Sequence, residues 1–354
     1  FRTDYILGMS EIKKNRLKLI LLVALTTLLV FLIWVFSKDF LTRRSFDNEV
    51  TECLNASEDT NDRVLCLEGV TQKVLGKEGL LYGLKFIEEW SHRDIFLEAN
   101  CHAFIHLIGE YGYWDYYLSG DLTVDDEFGI CSFGYFHGFM QEFGHHGEDF
   151  TENAPALCET FQERLDGKLG AVGRQCNHGI GHGIIFNLAL KHWPDDLLIG
   201  DLGVAQCEEM FLGGGEPLRD CLDGVYAGVA TFYFDTHGYH IPLDINAPDA
   251  LALCQRQPED YKDRCYSSMV PIVAALSKYD LAKAVGVFTR SETEHRWGRL
   301  VSYLSMVATR NKILVNEPVE TLVEVCDTFS GEHKAACVRG IGEGVFTYSF
   351  PEKA

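Results

Sequence analysis

From residue 49 onward, apolar positions recur at helical spacing, as in "LLYGLKFIEEW" at 80–90 and "LAKAVGVFTR" at 281–290, and alternating apolar and polar runs of the kind strands need are scarce. Turn signals such as "LGGGEP", "NAPDA" and "QPED" fall between these stretches. The pattern predicts an all-α domain over 49–354. Within "APDALALC", Pro248 and Asp249 stand where a helix is expected to begin.

Upstream the pattern changes. Leu19 to Phe36 reads "LILLVALTTLLVFLIWVF", eighteen residues without a charge. At ~1.5 Å per residue such a helix nearly spans a hydrocarbon core of ~30 Å. The run exceeds the ~7–15 apolar residues of a signal peptide, and no A-x-A-like site follows it. One transmembrane signal-anchor helix is therefore expected over 19–36, after a short cytoplasmic segment 1–18 and before a linker 37–48. Residues 1–8, which precede Met9, read as an upstream extension. Lys13, Lys14, Arg16 and Lys18 favour an inside N-terminus, against Lys38, Arg43 and Arg44 on the other flank.

All twelve cysteines follow the anchor, beginning at Cys53, which is the usage of an extracytoplasmic, disulfide-bonded domain. They also organise a repeat. "CSFGYFHG" at 131, "CNHGIGHG" at 176, "CLDGVYAG" at 221 and "CVRGIGEG" at 337 share C-x-x-G-x-x-x-G. "CYSSMVPI" at 265, "CHAFIHLI" at 101 and "CLEGVTQK" at 66 look like diverged copies. The steps from 66 through 101, 131, 176, 221 and 265 are 35, 30, 45, 45 and 44 residues, the range of helical-hairpin arrays. The interval of 72 from 265 to 337 leaves room for a copy without cysteine near 296–308.

Most copies carry a second cysteine shortly upstream. The repeat thus suggests the pairs Cys53 with Cys66, Cys158 with Cys176, Cys207 with Cys221, Cys254 with Cys265 and Cys326 with Cys337, leaving Cys101 for Cys131. Glycines four apart share a helix face and let a neighbouring helix approach closely. Their cost in helix propensity, ~0.8–1 kcal/mol each, needs such a gain to offset it. The fold class expected is an α-hairpin repeat, solenoid-like and stapled by disulfides. Its pitch is similar to that of tetratricopeptide (TPR) and Sel1-type arrays, although the tetratricopeptide consensus is absent and the cysteines are foreign to it.

Charge and composition narrow the function. The formal charge of −21, from 52 acidic and 31 basic side chains, repels phosphate backbones, so nucleic acid is not an expected partner. At 47% hydrophobic and 12% aromatic the chain can bury a sizeable core, and "YGYWDYY" and "TFYF" read mostly as part of it. The acidic runs "TVDDEFG" and "PLDINAPD" fit no complete EF-hand and read as solvated loops.

The histidines are the candidate chemistry. His102 and His106 are four apart, as are His178 and His182, so each pair can present two imidazoles from one helix face. His137 stands at the position of His182 in its own copy, and later copies have Ala227, Pro271 and Glu343 there. The glycine frame therefore persists without imidazole, which makes the histidines a local addition. Together they supply the three or more convergent nitrogens that a zinc, iron or copper ion needs, with Glu110 a further turn along the first face and Glu142 a possible addition. A histidine beside a glycine contact can equally hydrogen-bond a neighbouring carbonyl, and only convergence of the ring nitrogens separates the two readings. His145 and His146, being adjacent, read as a loop or surface pair.

No H-E-x-x-H, C-x-x-C, C-x-x-C-H, G-x-S-x-G or G-x-G-x-x-G pattern occurs. The order of histidine pairs resembles the histidine boxes of membrane-embedded lipid hydroxylases and desaturases, but the H-x-x-H-H boxes are missing and only one apolar span is present. The expected function is a membrane-anchored extracytoplasmic scaffold or binding protein with a His-rich transition-metal site, its protein or small-molecule partner unidentified. The alternative is a metal-dependent hydrolase or oxygenase using the same histidines, with a carboxylate such as Glu110 activating water.

Overall fold

A computed structural model describes residues 22–23, 25–29, 43–57, 60–147, 149–165, 170–233, 240–291 and 297–349. Among them every regular element is a helix and none is a strand. The chain divides into one unit ending at Gly76 and a second beginning at Lys77.

In the first unit, residues 22–23 and 25–29 of the apolar run are helical and exposed, and the rest of 19–36 lies outside the described residues. No helix among the described residues is long and apolar enough to cross a membrane. Helix α1 occupies 43–56, so the stretch expected to be a linker is helical from 43 on. Phe46, Val50 and Cys53, spaced by four and three, form its buried face. Cys53 is bonded to Cys66 of α2 (Thr60–Glu78), and Lys73 reaches Glu49 at 2.6 Å.

In the second unit a row of long helices carries shorter ones beside it. The long helices are α4 (Ile95–Ser119), α5 (Ile130–His146), α7 (Val172–His192), α9 (Gly215–Thr231), α11 (Glu259–Leu276), α13 (Gly298–Leu314) and α15 (Gly331–Ser349), each packed on the next. The shorter ones are α3 (Leu80–Ser91), α6 (Phe150–Leu165), α8 (Asp196–Met210), α10 (Ala252–Gln255), α12 (Leu281–Ser291) and α14 (Glu320–Thr328), each packed on the long helix that follows it. Helix α13 also touches α4. The cysteine-free copy expected near 296–308 is α13.

Local chemistry sets these boundaries. Asp94 caps α4 by accepting from the Phe96 and Leu97 amides at 2.8 and 3.2 Å, and Gly120 ends it at φ 75°, where a side chain would be strained. Gly214 and Gly215 turn the chain into α9 at φ 66° and 80°. The helix expected from Pro248 starts only at Ala252 and lasts one turn, because Asp244 accepts from the Asn246 amide at 2.9 Å and holds the preceding segment in turns.

The six disulfides are those the repeat suggests, with Cα separations of 5.3 to 5.9 Å. Four join a short helix to the following long one, whereas Cys101–Cys131 joins successive long helices α4 and α5. The core lies between the two sets of helices, with Phe104, Phe136, Phe139, Phe161 and Tyr226 fully buried. Of "YGYWDYY", Tyr113 is buried while Trp114 and Tyr117 face solvent, so that stretch is only partly core. Phe232 and Tyr233 of "TFYF" are buried as expected.

The motif glycines set the spacing between long helices. A Cβ on Gly138 would lie 1.9 Å from the His106 carbonyl oxygen, one on Gly224 1.9 Å from that of His178, and one on Gly340 2.0 Å from that of Ser302. Backbone approach this close is open only to glycine. It brings the side chains that flank each contact together across the seam.

Candidate metal centre

Three successive long helices supply five histidines to one place. His102 and His106 project from α4, His137 from α5, and His178 and His182 from α7. His102 Nε2 lies 3.0 Å from His106 Nε2 and 3.2 Å from His137 Nδ1, and His178 Nε2 lies 3.2 Å from His182 Nε2. The stacked rings of His137 and His182 are 5.5 Å apart, and His106 and His182 approach to 5.7 Å. His102, His106 and His137 form one group able to hold a metal ion, His137, His178 and His182 a second, and the two share His137. With metal–nitrogen bonds of ~2.0–2.1 Å, neighbouring donors of a tetrahedral shell sit ~3.3 Å apart and those of an octahedral shell ~2.9 Å apart. The observed separations fall in that range.

The hydrogen bonds fix where two of the lone pairs point. His102 Nδ1 donates to the Cys131 carbonyl at 2.8 Å, which leaves Nε2 without a proton in the neutral ring. His137 Nε2 donates to Gln175 Oε1 at 3.0 Å, which leaves Nδ1 bare. Two bare nitrogens therefore face each other across 3.2 Å. That contact is repulsive in the absence of a cation and favourable when both bind one, and a ligating imidazole anchored through its other nitrogen to a carbonyl is the usual arrangement at metal sites. The acceptor for His102 is placed by a local distortion, since Cys131, Ser132 and Phe133 take φ of 48°, 59° and 63° at the head of α5. Left-handed backbone costs a side-chain-bearing residue roughly 1–2 kcal/mol.

Burial disfavours the charged form of four of the five imidazoles. His137 and His182 are buried, and burial, reinforced by the neighbouring imidazoles, holds both well below the ordinary histidine range. Burial pushes His178 down to about 3. It also lowers His102, partly offset by the bond to Cys131. Neutral imidazole is the form that binds metal. In addition, His182 Nδ1 is buried with no hydrogen-bond partner among the described residues, a deficit worth about 1–3 kcal/mol if left uncompensated.

Glu110 stands one turn beyond His106 on α4 and accepts from Gln141 at 3.4 Å, outside both histidine groups. Glu142 belongs elsewhere. It accepts from Trp114 Nε1 at 2.7 Å, pairs with His146 at 3.2 Å and forms a separate metal-capable group with His145 and His146 at the end of α5. The adjacent pair, read from the sequence as a loop or surface pair, is helical and gathered round a carboxylate, with His146 exposed.

Sequence reasoning misses a cavity of about 610 Å³ beside the histidines, lined by Gln175 and His178 of α7 together with Asp220, Asp223, Arg264 and Arg299 from α9, α11 and α13. Its only signal in the sequence is the register. The positions two and six after each cysteine, which hold His178 and His182 on α7, hold Asp223 and Ala227 on α9 and Ser267 and Pro271 on α11. In comparisons with known protein families, curated proteins and solved structures, the chain matches none.

Proposed function

We propose that this is a transition-metal-binding helical-repeat protein, held at a membrane by residues 19–36 with its disulfide-bonded domain on the extracytoplasmic side. His102, His106, His137, His178 and His182 are the ligand set, for zinc, iron or copper. The observation that carries the reading is the convergence of five imidazoles from three helices, with His102 Nε2 3.2 Å from His137 Nδ1, into two groups able to hold a metal ion. The disulfides support an oxidising compartment. The uncharged run and the exposure of Leu22, Leu25 and Leu29, each more than half accessible, support the anchor.

A specific observation favours a second reading. His178 borders both the cluster and the cavity, so a ligand in the cavity reaches the edge of the metal centre, as a metal-dependent hydrolase or oxygenase requires. In this reading the carboxylates at hand are Asp220, Asp223, Asp260 and Asp263, which line the cavity, whereas Glu110 does not.

One experiment addresses the main reading. The full chain is recovered from the membrane fraction, extracted in detergent, and its metal measured by mass spectrometry beside a His178→Ala/His182→Ala variant. Near-stoichiometric zinc, iron or copper, lost from the variant, is the expected result. A metal-free wild type that stays metal-free on reconstitution overturns the metal site, and recovery in the soluble fraction overturns the anchor.

A further inference from the structure

The walls of the cavity carry more chemistry than a vestibule needs. On α7, Arg174 and Gln175 precede Cys176, and Gln175 accepts from His137, so one helical turn joins the cavity to the metal cluster. On α9 and α11 the corresponding face has Ala227 and Ser267 where α7 has imidazoles, and these small side chains leave the space into which charged groups project.

The guanidinium groups are not equivalent. Arg264 is committed, with Nη1 donating to Asp223 Oδ2 at 2.5 Å and to the Arg219 carbonyl at 3.3 Å. Arg174 and Arg299 line the same cavity and make no hydrogen bond or ion pair among the described residues. Both lie within electrostatic reach of Asp223 without touching it. Three arginines thus share the cavity with four aspartates, Asp220, Asp223, Asp260 and Asp263, and Arg174 and Arg299 keep their guanidinium donors out of ion pairs among the described residues. Planar guanidinium is the group that recognises carboxylate and phosphate through paired hydrogen bonds. Burial and the neighbouring Asp223 push Asp220 up to about 6, so the opposing negative charge falls as pH drops below that value.

We infer that the cavity is the ligand pocket of the metal centre and takes a small oxyanion, a carboxylate or a phosphate, between Arg174 and Arg299. The aspartates that share the wall repel a polyanion, and a volume of about 610 Å³ suits a ligand of metabolite size. In the pocket such an anion lies against His178 and can extend a donor atom toward the metal. The assignment of the arginines stands on the cavity alone, while the link to the metal rests on the function proposed above.

The test uses the full chain loaded with cobalt(II), whose visible absorption reports changes at the metal, and titrates succinate and inorganic phosphate by calorimetry. At least one probe is expected to bind more tightly than about 1 mM. Arg174→Gln and Arg299→Gln are each expected to weaken it at least about tenfold, since each removes a charge-assisted pair. Arg93→Gln, which alters an arginine paired with Glu89 on α3, is expected to change nothing. Both cavity arginines are exposed, so their loss leaves the core intact. Whichever probe prevails identifies the oxyanion. Weak or absent binding of both probes, or binding indifferent to the two arginines, overturns the pocket. If the chain takes up no cobalt but still binds a probe through both arginines, the pocket stands and the metal reading falls. Arginine-dependent binding that leaves the cobalt spectrum unchanged overturns the link between the two.

Discussion

At the scale of single residues, the centre depends on which nitrogen of each imidazole carries the proton. The Cys131 carbonyl decides this for His102 and Gln175 Oε1 decides it for His137. Gln175 is therefore a positioning residue, and Gln175→Ala is expected to weaken metal binding about 10–100-fold while the fold is kept. Competition with a chromophoric chelator measures this, and unchanged affinity contradicts the assignment. The histidines themselves were legible in the sequence, because spacing by four on a helix fixes a shared face. Gln175 was not, since glutamine carries no metal signature and its role exists only across the seam between α5 and α7. The same burial gives a sign for pH. His178 titrates near 3 in the fold and His137 and His182 also below their ordinary value, whereas the unfolded chain takes up these protons near ~6.5. Below ~6.5 the unfolded state binds more protons, so the metal-free protein loses stability on acidification, by up to ~1.4 kcal/mol per pH unit for each such histidine. Urea midpoints of the metal-free protein at several pH values between 7.5 and 5 should fall with pH, and flat midpoints argue against neutral buried imidazoles.

At the scale of elements, glycine contacts hold the donor helices in register. Gly138 rests on the His106 carbonyl and Gly224 on that of His178, so both contacts fall at the backbones of residues proposed as ligands. Gly340 makes the same contact on Ser302, far along the chain from any histidine of the cluster. Each alanine substitution places a methyl within about 2 Å of a carbonyl oxygen and is expected to cost about 1–3 kcal/mol or more in stability. Gly138→Ala and Gly224→Ala should also weaken metal binding, and Gly340→Ala should not. Thermal unfolding and metal titration of the three variants check this, and equal loss of metal affinity in all three contradicts it. The C-x-x-G-x-x-x-G repeat made the frame and its six cystine pairs readable, and the cysteine-free α13 with them. The left-handed turn at Cys131 to Phe133 and the single-turn α10 were not readable. The first departs from the pattern its neighbours follow, and the second reflects an aspartate turn at Asp244 that outcompetes a proline start.

At the scale of the whole molecule, the disulfides tie helices together in pairs, and bridges closing loops of 11 to 30 residues each add roughly 2–4 kcal/mol to the stability of the fold. Of the cavity, only the register of positions after each cysteine shows in the sequence, because its walls come from residues as distant as Arg174 and Arg299 and are assembled by packing. X-ray absorption spectroscopy of the metal-loaded full chain shows whether the five imidazoles converge on metal. A shell containing at least three imidazole nitrogens at ~2.0–2.1 Å is expected for zinc, reduced in a His137→Ala variant because both histidine groups share that ring. A shell of oxygens without imidazole scattering, or one that His137→Ala leaves unchanged, would contradict it.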